Sequence, residues 1–294
     1  MATGTYVLAV DWNNDGDYSD SGEDITARTM GVEWKRGSDY ASQLVGKAVA
    51  GTLTATLNNE SGDYSTFNTS SALTGNLLPG RPVKLTGNDG STTRTLWTGF
   101  LDSIEPIPSV NGANLARLRA IGPLGYLNKF DVSTAMFASK KAGELVGEIL
   151  DVAGWPDDDR DLDTGIVEFP RFWCERTKTL KALRLVEETE TGLLEEDASG
   201  KIVYRDRHAR SKDARSTASQ ATYSDASGAG LAYNHISQID PLKFIYNELR
   251  AKLQLHSGAW VLGSASLGVQ TELASDPTVL WLSLIHISEP TRPY

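Results

Sequence analysis

Residues 52–57 alternate strictly between threonine and an apolar residue, and this pattern constrains the fold more than any other feature of the chain. Threonine occupies every second position, and Leu53, Ala55 and Leu57 lie between the threonines. Successive side chains of a β-strand point to opposite faces, so one face of this segment is buried and the other is wet. The pattern predicts a strand in a sheet that covers a hydrophobic core on one side.

Five further segments in the first part of the chain are β-branched, aromatic or alternating, and turn-forming sequence separates them. The six predicted strands lie at residues 6–12, 30–35, 52–57, 83–86, 95–101 and 114–120. The segments between them contain Asp-Gly, Ser-Gly and Pro-Gly pairs, which accept positive φ angles or preset a bend. We therefore expect a mostly antiparallel β-barrel or sandwich over residues 1–122.

The pattern changes in the middle of the chain, where apolar residues recur at helical spacing. Leu145, Ile149 and Val152 fall on one stripe of a helix over residues 143–153. Gly154 follows directly and provides a stop, because glycine accepts the left-handed conformation that commonly ends a helix. This segment is the first helix of a predicted α+β unit.

A second helix is predicted over residues 179–190, with Thr177 or Thr179 as its N-cap. Its predicted inward residues are Leu180, Leu183 and Val186. Two strands around a Ser-Gly turn follow over residues 192–205 and predict a β-hairpin. Helix and hairpin together indicate a small α+β unit inserted between β segments.

The native sequence is therefore predicted to have three parts. They are an N-terminal β-barrel or sandwich domain over residues 1–122, an inserted α+β domain over 123–210, and a C-terminal β segment over 211–281. The strands expected in the third part lie at residues 236–239, 244–255 and 259–261. The predicted fold class is mainly β with an α+β insertion.

The charge balance excludes one class of partner. The chain has 294 residues, with 28 lysines and arginines against 38 acidic residues, a formal net charge of -10 and a pI of about 4.9. A protein that coats a duplex must neutralise phosphates, so this sign is wrong for it. We expect no sequence-specific nucleic-acid partner.

Two further absences in the sequence limit the class of protein. Cys174 is the one cysteine, which excludes an internal disulfide and a cysteine-based zinc site, and its aromatic neighbours predict a buried, inert thiol. No segment approaches the roughly 20 apolar residues that a membrane-spanning helix needs. The first ten residues carry no basic n-region, so no signal peptide and no membrane partner are expected.

The segment at residues 11–20 has oxygen-bearing side chains at nearly alternate positions, and Gly16 permits a tight bend between them. The candidate ligands for a calcium ion are Asp11, Asn13, Asp15, Asp17 and Asp20. Unlike an EF-hand, the twelfth position is Gly22 where a bidentate glutamate is needed, and no helices flank the loop. Two interpretations stay open: a weak calcium loop, or a hairpin tip of Asx-turns with solvated carboxylates.

The other polar clusters predict surfaces, and none has the spacing of a catalytic or metal site. The five aspartates between residues 157 and 163 predict a solvated acidic loop. A polar helix face and hairpin are predicted for Glu187, Glu188, Glu190, Glu195 and Glu196. Surface or turn positions are predicted for His208, His235 and His256. No nucleophile elbow, Walker A or dinucleotide motif is found, so an enzyme is not expected.

Three blocks of the chain resemble the baseplate hub or tail-tip proteins of tailed bacteriophages. The first comprises VDWNNDGDY at residues 10–18, LNNESGDYS at 57–65 and LLPGRPV at 77–83. The second is LWTGFLDSI at 96–104. The third ends with KIVYRDRH at 201–208 and continues as TASQATY at 217–223. The blocks span roughly residues 6–250, and each is a structural pattern, not a reactive signature.

The resemblance implies a structural virion component built from β-barrel domains with an α/β insertion. Such a hub would form a ring of identical copies, a trimer, and would join the tail tube or distal tail ring to the tip. The implied partners are further copies, a distal tail or tail tube protein, the tape-measure protein and a tip or spike protein. The implied location is the phage tail, after synthesis in the host cytoplasm.

Two alternative functions stay open. The seven tryptophans, ten tyrosines and candidate calcium loop also suit a carbohydrate- or receptor-binding module of a phage tail. A tail-associated cell-wall hydrolase is the third hypothesis, with its catalytic part beyond the end of this sequence. The first hypothesis predicts a stable ring and the second a monomer that binds glycans, whereas the third predicts cell-wall lysis by the longer protein.

The C-terminal sequence differs in kind from the rest. Residues 282–292, LSLIHISEPTR, resemble the translation of a transposase adapter used to prepare sequencing libraries. As native sequence, residues 281–285 would be an ordinary apolar strand. We expect residues 282–294 to be a non-native tail and the native sequence to break off near Trp281, and we exclude the tail from fold reasoning.

Overall fold

The computed structural model describes residues 4–39, 47–110, 112–214, 218–224, 231, 248–254 and 260–266. Its largest element is a six-stranded sheet. The strands are β1 (Thr5–Val10), β2 (Thr29–Asp39), β3 (Lys47–Asn58), β4 (Pro82–Asn88), β5 (Thr93–Ile107) and β6 (Leu115–Ile121). A short 3-10 helix, Thr26–Arg28, leads into β2.

All six strands predicted before residue 121 are confirmed, each within a few residues of its expected bounds apart from the longer β2, β3 and β5. Their order is β1-β4-β5-β6-β3-β2, and every neighbouring pair is antiparallel. The sheet is curled into a half-barrel, with β1 and β2 as its two edges. The predicted fold class, mainly β with a barrel-like N-terminal part, is confirmed.

The alternation in β3 produces the expected division between the two faces of the sheet. Leu53, Ala55 and Leu57 are buried, whereas Thr52 and Thr54 are exposed. The core on the concave side is almost wholly apolar, and its largest buried members include Leu8, Ile25, Leu53, Leu57, Leu85, Trp97, Leu101 and Leu118. Burial of this apolar surface is the main force that holds the sheet together.

Gly99 has a steric role at the centre of this core. A Cβ atom at this position would overlap the indole ring of Trp97 and the carbonyl oxygen of Ile121 on the adjacent strand. A glycine is therefore required at this position of β5 to leave room for the fully buried ring of Trp97. This contact gives a physical reason for the aromatic-x-glycine sequence of the second resemblance block.

The α+β unit follows the sheet and contains four helices and three small sheets. The helices are α1 (Pro123–Leu127), α2 (Ala142–Val152), α3 (Thr179–Glu190) and α4 (Ala209–Lys212). The strands are β7 (Asp131–Val132), β8 (Phe137–Lys141), β9 (Arg160–Leu162), β10 (Glu168–Phe172), β11 (Thr177–Lys178), β12 (Leu193–Glu196) and β13 (Ile202–Arg205). The predicted hairpin is β12–β13, and β9 pairs parallel to β13.

Two details of the predicted helices are wrong. Val152 was expected to face inward, but it is 45% exposed, because it occupies the last position of α2 and the buried stripe ends at Leu150. Neither threonine caps α3, whose N-cap residue is Lys178. The Thr179 hydroxyl instead donates a hydrogen bond to the carbonyl oxygen of Phe130, 3.1 Å away, which fixes the start of α3 to the segment that follows α1.

In the third part, β14 (Glu248–Gln254) and β15 (Trp260–Ser266) pair with each other in an antiparallel ribbon. The strand predicted at residues 236–239, two of the histidines (His235 and His256) and the adapter-like tail at 282–294 lie outside the described residues. The division of the chain into three parts stays a prediction. Among the helices described, none is both long and apolar enough to cross a bilayer.

Candidate functional site

The loop at residues 11–20 is organised by the buried carboxylate of Asp11. This carboxylate accepts hydrogen bonds from the backbone N–H groups of Asn14, Asp15 and Gly16, all within 3.2 Å. Glu23 is also buried and accepts hydrogen bonds from the N–H groups of Trp12 and Asp20. The two acids therefore tie both ends of the loop to the start of the sheet.

The other candidate calcium ligands interact with one another at the exposed tip. The Asn13 amide nitrogen donates to the carboxylates of Asp15 at 2.9 Å and Asp20 at 2.7 Å. The Asp17 carboxylate accepts hydrogen bonds from Ser19, as in an Asx-turn. In the described part of the chain, no three acidic, histidine or cysteine side chains are grouped so that they could hold a metal. Calcium binding by this loop stays a prediction.

The predicted solvated acidic loop is exposed in its first part and held by ion pairs in its second part. Asp157–Asp159 form an exposed 3-10 helix, as expected of solvated carboxylates. Asp161 and Asp163, however, form ion pairs with Arg205 of β13, and the hydrogen bond from Arg205 lowers the pKa of Asp161. These pairs link β9 to β13, and their role is structural.

The prediction of a polar helix face is wrong for three of the five glutamates. Glu187, Glu190 and Glu196 are buried. Each carboxylate accepts hydrogen bonds from backbone N–H groups, which compensates for the loss of water around a buried charge. Glu190, for example, accepts from Ile166 at 2.9 Å and Val167 at 2.8 Å.

Glu196 joins the α+β unit to the six-stranded sheet. Its Oε1 atom accepts a hydrogen bond from the N–H of Gly51 on β3, 2.6 Å away, and its Oε2 atom accepts one from the N–H of Leu124 on α1, 2.9 Å away. A Cβ atom on Gly122 would overlap this carboxylate, so the site requires glycine there. Burial raises the pKa of Glu196, although both N–H groups oppose the shift.

A second polar link lies nearby. Arg184 of α3 forms an ion pair with Glu187 at 2.6 Å and donates to the backbone carbonyl oxygen of Ala48 on β3. The rings of Phe100 on β5 and Tyr126 on α1 are also stacked, at a centroid distance of 4.2 Å. The sheet and the α+β unit therefore share a buried interface with both polar and aromatic contacts.

Among the residues that the structure describes, one edge of the sheet, β1, is partly covered and the other, β2, is open. The N–H of Val10 on β1 donates to the carbonyl oxygen of Glu23, and the N–H of Ile25 donates to that of Leu8, so residues 23–25 cover part of β1. Within the described residues, the backbone of residues 30–38 of β2 has no hydrogen-bond partner beyond β3. An edge of this kind is a template for pairing with another strand.

Exposed apolar side chains lie on the open edge and on a second surface. On β2, Met30 is 65% exposed and Trp34 is 41% exposed. In the α+β unit, Met136 and Trp173 are 59% and 64% exposed, and they directly adjoin the paired residues of β8 and β10. Exposed tryptophan and methionine are typical of the centres of protein–protein interfaces.

The second surface belongs to a two-stranded ribbon formed by residues 131–141 and 168–178, which we call the basic ribbon. The pairs β7–β11 and β8–β10 have the same register and run along it. The ribbon carries five lysines and arginines against three acidic residues, the reverse of the whole chain. Arg171 and Arg176 are exposed, and neither forms an ion pair with the described part of the chain.

The remaining candidates have ordinary structural roles or stay open. The Cys174 side chain is partly buried, and its sulfur lies 3.8 Å from the hydroxyl of Thr134. It is therefore less buried than predicted, because the ribbon that contains it is exposed on one side. His208 is partly buried at the start of α4, where its N–H donates to the carboxylate of Asp206.

The fold is similar to those of phage tail proteins of known structure. The prophage MuSo2 43 kDa tail protein from Shewanella oneidensis matches with 14% sequence identity and a TM-score of 0.45, over 69% of this chain and 53% of that protein. The tail protein from Neisseria meningitidis MC58 matches with 12% identity and a TM-score of 0.44, over 69% of this chain and 51% of that one.

A third match, the prophage tail protein gp18 from Listeria monocytogenes EGD-e, has 7% identity and a TM-score of 0.43, over 92% of this chain and 68% of that protein. The chain spans about half the length of the first two tail proteins. The resemblance to phage tail proteins that the sequence predicts is therefore matched by a partial likeness of fold. This likeness assigns no activity or partner to the chain. No family model and no curated protein matches the chain.

Proposed function

We propose that this protein is a structural subunit of a phage tail that works through contacts with other proteins, without catalysis. In this proposal it is a baseplate hub or tail-tip protein whose copies form a ring, a trimer, around the tail axis. The ring joins the tail tube or distal tail ring to the tip. The three sequence blocks support a role in the phage tail, and the exposed surfaces of the molecule support a role through protein contacts.

The basic ribbon is the observation that carries the proposal. Met136 and Trp173 expose apolar surface on the ribbon that carries Arg171 and Arg176, two cations with no ion pair among the described residues. A central apolar anchor with a charged rim is the usual composition of a protein-binding surface. The rest of the chain is acidic, so the ribbon of one copy is complementary in charge to the surface of the next.

A contact between two different surfaces of the same chain builds rings when the rotation closes. The ribbon and an acidic surface such as Asp157–Asp159 are two such surfaces. The distal tail or tail tube protein, the tape-measure protein and the tip or spike protein would then contact the ring through its two ends. Synthesis in the host cytoplasm and incorporation into the virion follow from this role.

Light scattering after size-exclusion chromatography tests the ring. We expect a particle whose mass is a multiple of three copies of 31.8 kDa. The double variant Met136→Ala, Trp173→Ala is expected to yield smaller species, whereas Phe67→Ala, which changes an exposed aromatic residue in a loop, leaves the mass unchanged. A monomer or an isolated dimer of the unaltered chain would contradict the ring.

A carbohydrate-binding module is the second candidate, and the exposure of Trp173 favours it because flat aromatic rings stack on sugars. The two candidates differ in the state of the protein that binds. A glycan array probed with the unaltered chain is expected to be blank if the ribbon serves assembly. Glycan binding by a monomer, lost in Trp173→Ala, would favour the second candidate.

A further inference from the structure

The sequence of the open edge strand β2 matches its charges with those of a second copy that runs in the opposite direction. Residues 31–37 read Gly-Val-Glu-Trp-Lys-Arg-Gly, and Trp34 lies at the centre. One residue before Trp34 is the acid Glu33, and one residue after it is the base Lys35. Two such strands that run in opposite directions and meet at Trp34 therefore place each acid opposite a base.

The structure places these side chains where a second strand can reach them. Trp34 is opposite the buried Leu53 in the register of β2 and β3, yet it is 41% exposed, because no strand lies beyond it in the described sheet. Glu33 and Lys35 are on the opposite face, with side chains 76% and 79% exposed, and their charged atoms are 3.6 Å apart.

The backbone of this segment is also suited to pairing. Register shifts occur at Thr29/Gly31 and at Lys35/Gly37, and the residues between the two shifts pair regularly with β3. Bulges of this kind limit how far a foreign strand can extend along an edge. They leave a regular window of five residues, Gly31–Lys35, which includes Glu33, Trp34 and Lys35.

We propose that β2 pairs antiparallel with β2 of a second copy, with Trp34 opposite its counterpart, so that two six-stranded sheets become one. From Glu33 to Lys35, residues whose numbers add up to 68 then face each other across a two-fold axis. Glu33 faces the partner's Lys35, and Lys35 faces the partner's Glu33. The contact is isologous, so one patch supplies both halves of it.

Charge identifies the occupant as a second copy of β2. The other edge of the sheet, β1, has the sequence Thr-Tyr-Val-Leu-Ala-Val, which carries no charge to match Glu33 or Lys35, and residues 23–25 cover part of it. Opposite charges in cross-strand positions stabilise a pair of strands, and like charges destabilise it. Of the two edges of this sheet, β2 is the one that supplies both cross-strand ion pairs and the central pair of tryptophans.

The pairing goes beyond the proposed ring and does not depend on it. It requires two copies of this chain and no other tail protein. A ring of three whose members also pair through β2 becomes a closed assembly of six copies. If the ring is absent, β2 pairing alone gives a dimer, so the two proposals predict different masses.

Charge reversal tests the register directly. Glu33→Lys places lysine opposite lysine at both ends of the contact, and Lys35→Glu places glutamate opposite glutamate. Each single variant is expected to weaken association through β2 about tenfold, which corresponds to about 1.4 kcal/mol over two ion pairs. Sedimentation velocity over a concentration series measures the change.

An equimolar mixture of the two single variants is the decisive measurement. The lysine introduced by Glu33→Lys in one chain would face the glutamate introduced by Lys35→Glu in the other, so the mixture is expected to recover the association of the unaltered chain. The double variant Glu33→Lys, Lys35→Glu is expected to recover it as well, because both ion pairs are restored with their signs exchanged. Singles that associate normally, or a mixture that stays dissociated, would overturn the proposal.

A matched control separates specific pairing from general attraction between oppositely charged proteins. Glu105→Lys makes the same change of charge on β5, which lies inside the sheet, where Glu105 forms an ion pair with Arg119 at 3.8 Å. This variant is expected to associate normally alone and not to rescue Lys35→Glu in a mixture. Rescue by Glu105→Lys would show general attraction and would overturn the register. Circular dichroism confirms that all the variants are folded.

Discussion

The six-stranded sheet and the α+β unit solve the problem of a stable core in different ways. The sheet buries leucine, valine and tryptophan on one face and exposes Thr52 and Thr54 of β3 on the other. The unit buries a comparable apolar cluster, but it also buries Glu187, Glu190 and Glu196 with backbone N–H groups as their partners.

Different interactions determine the structure of the two regions. In the sheet, alternation fixes which face is inside, because a slip of one residue would expose every leucine. The small sheets of the unit have two or three strands each. With so few strands, the alternation of polar and apolar residues does little to determine which face is buried. A buried carboxylate accepts hydrogen bonds only in one arrangement, so Glu196 specifies where the unit meets the sheet.

The largest expected effect is the loss of an apolar side chain from the sheet. Leu118→Ala removes a fully buried side chain from the central strand β6 and is expected to lower the free energy of unfolding by about 3 kcal/mol. Urea denaturation monitored by tryptophan fluorescence measures this change. Leu78→Ala, at a half-exposed position, is the control, with an expected loss of less than about 1 kcal/mol.

The unit is expected to be nearly as sensitive to the loss of one polar side chain. Glu196→Ala leaves the buried N–H groups of Gly51 and Leu124 without an acceptor and is expected to cost about 2 kcal/mol in the same experiment. The neighbouring Glu195 is only partly buried, so Glu195→Ala is expected to cost about 0.5 kcal/mol. Equal effects of the two substitutions would remove the contrast between the regions.

Glu196 should also make the stability of the α+β unit depend on pH. Burial raises the pKa of Glu196 in the folded protein above its ordinary value of 4.5. Ionisation therefore costs more in the folded state, and the stability that Glu196 contributes is greatest at low pH and declines as the pH rises through the folded pKa. Glutamine does not titrate, so the unaltered chain is expected to lose stability relative to Glu196→Gln as the pH rises above the ordinary pKa of a glutamate, 4.5, and through the folded pKa.

Urea denaturation at several pH values, with both proteins in the same buffers, checks this expectation. Titration of all the other acids affects both proteins alike, so the difference between them isolates Glu196. A Leu118→Ala variant serves as the control for the sheet, and its difference from the unaltered chain is expected to be independent of pH. A Glu196→Gln difference that is constant or of opposite sign would contradict the buried carboxylate.

The smallest expected effect concerns the loop at the start of the sheet. If Asp11, Asn13, Asp15, Asp17 and Asp20 bind calcium, the ion stabilises the folded state by mass action, and millimolar calcium raises the melting temperature by about 2 °C. Asp15→Ala is expected to abolish the increase, and Glu60→Ala, in another exposed loop, to preserve it. Equal melting temperatures with calcium and with a chelator would leave the Asx-turns as the whole explanation of the loop.

The sequence predicts the sheet strands well because alternation and turn residues are local signals. The helix at 179–190 is predicted to the residue for the same reason. Glu187 and Glu190 follow Leu183 by four and seven positions, which places them on its buried face, so helical spacing contains the signal for their burial. Their partners lie elsewhere in the chain, and Glu190 binds residues 23 and 24 positions away, which no local pattern indicates.

The candidate surfaces are harder to predict than the strands that carry them. The segment at residues 30–35 is recognisable as a strand, but its position at an edge depends on the order of all six strands. Trp34 is indistinguishable in sequence from a core tryptophan, and only the absence of a further strand in the described sheet exposes it. The basic ribbon likewise combines two segments that are more than 25 residues apart in the chain.

The hydrogen bond between Glu196 and Gly51 has a consequence for synthesis on the ribosome. The two residues are 145 positions apart, and all six strands of the sheet have been translated before Glu196 is added. The nascent sheet can close while the amides of Gly51 and Leu124 are still hydrated. The last part of the α+β unit to be made then displaces that water, so docking of the hairpin is a late step of folding.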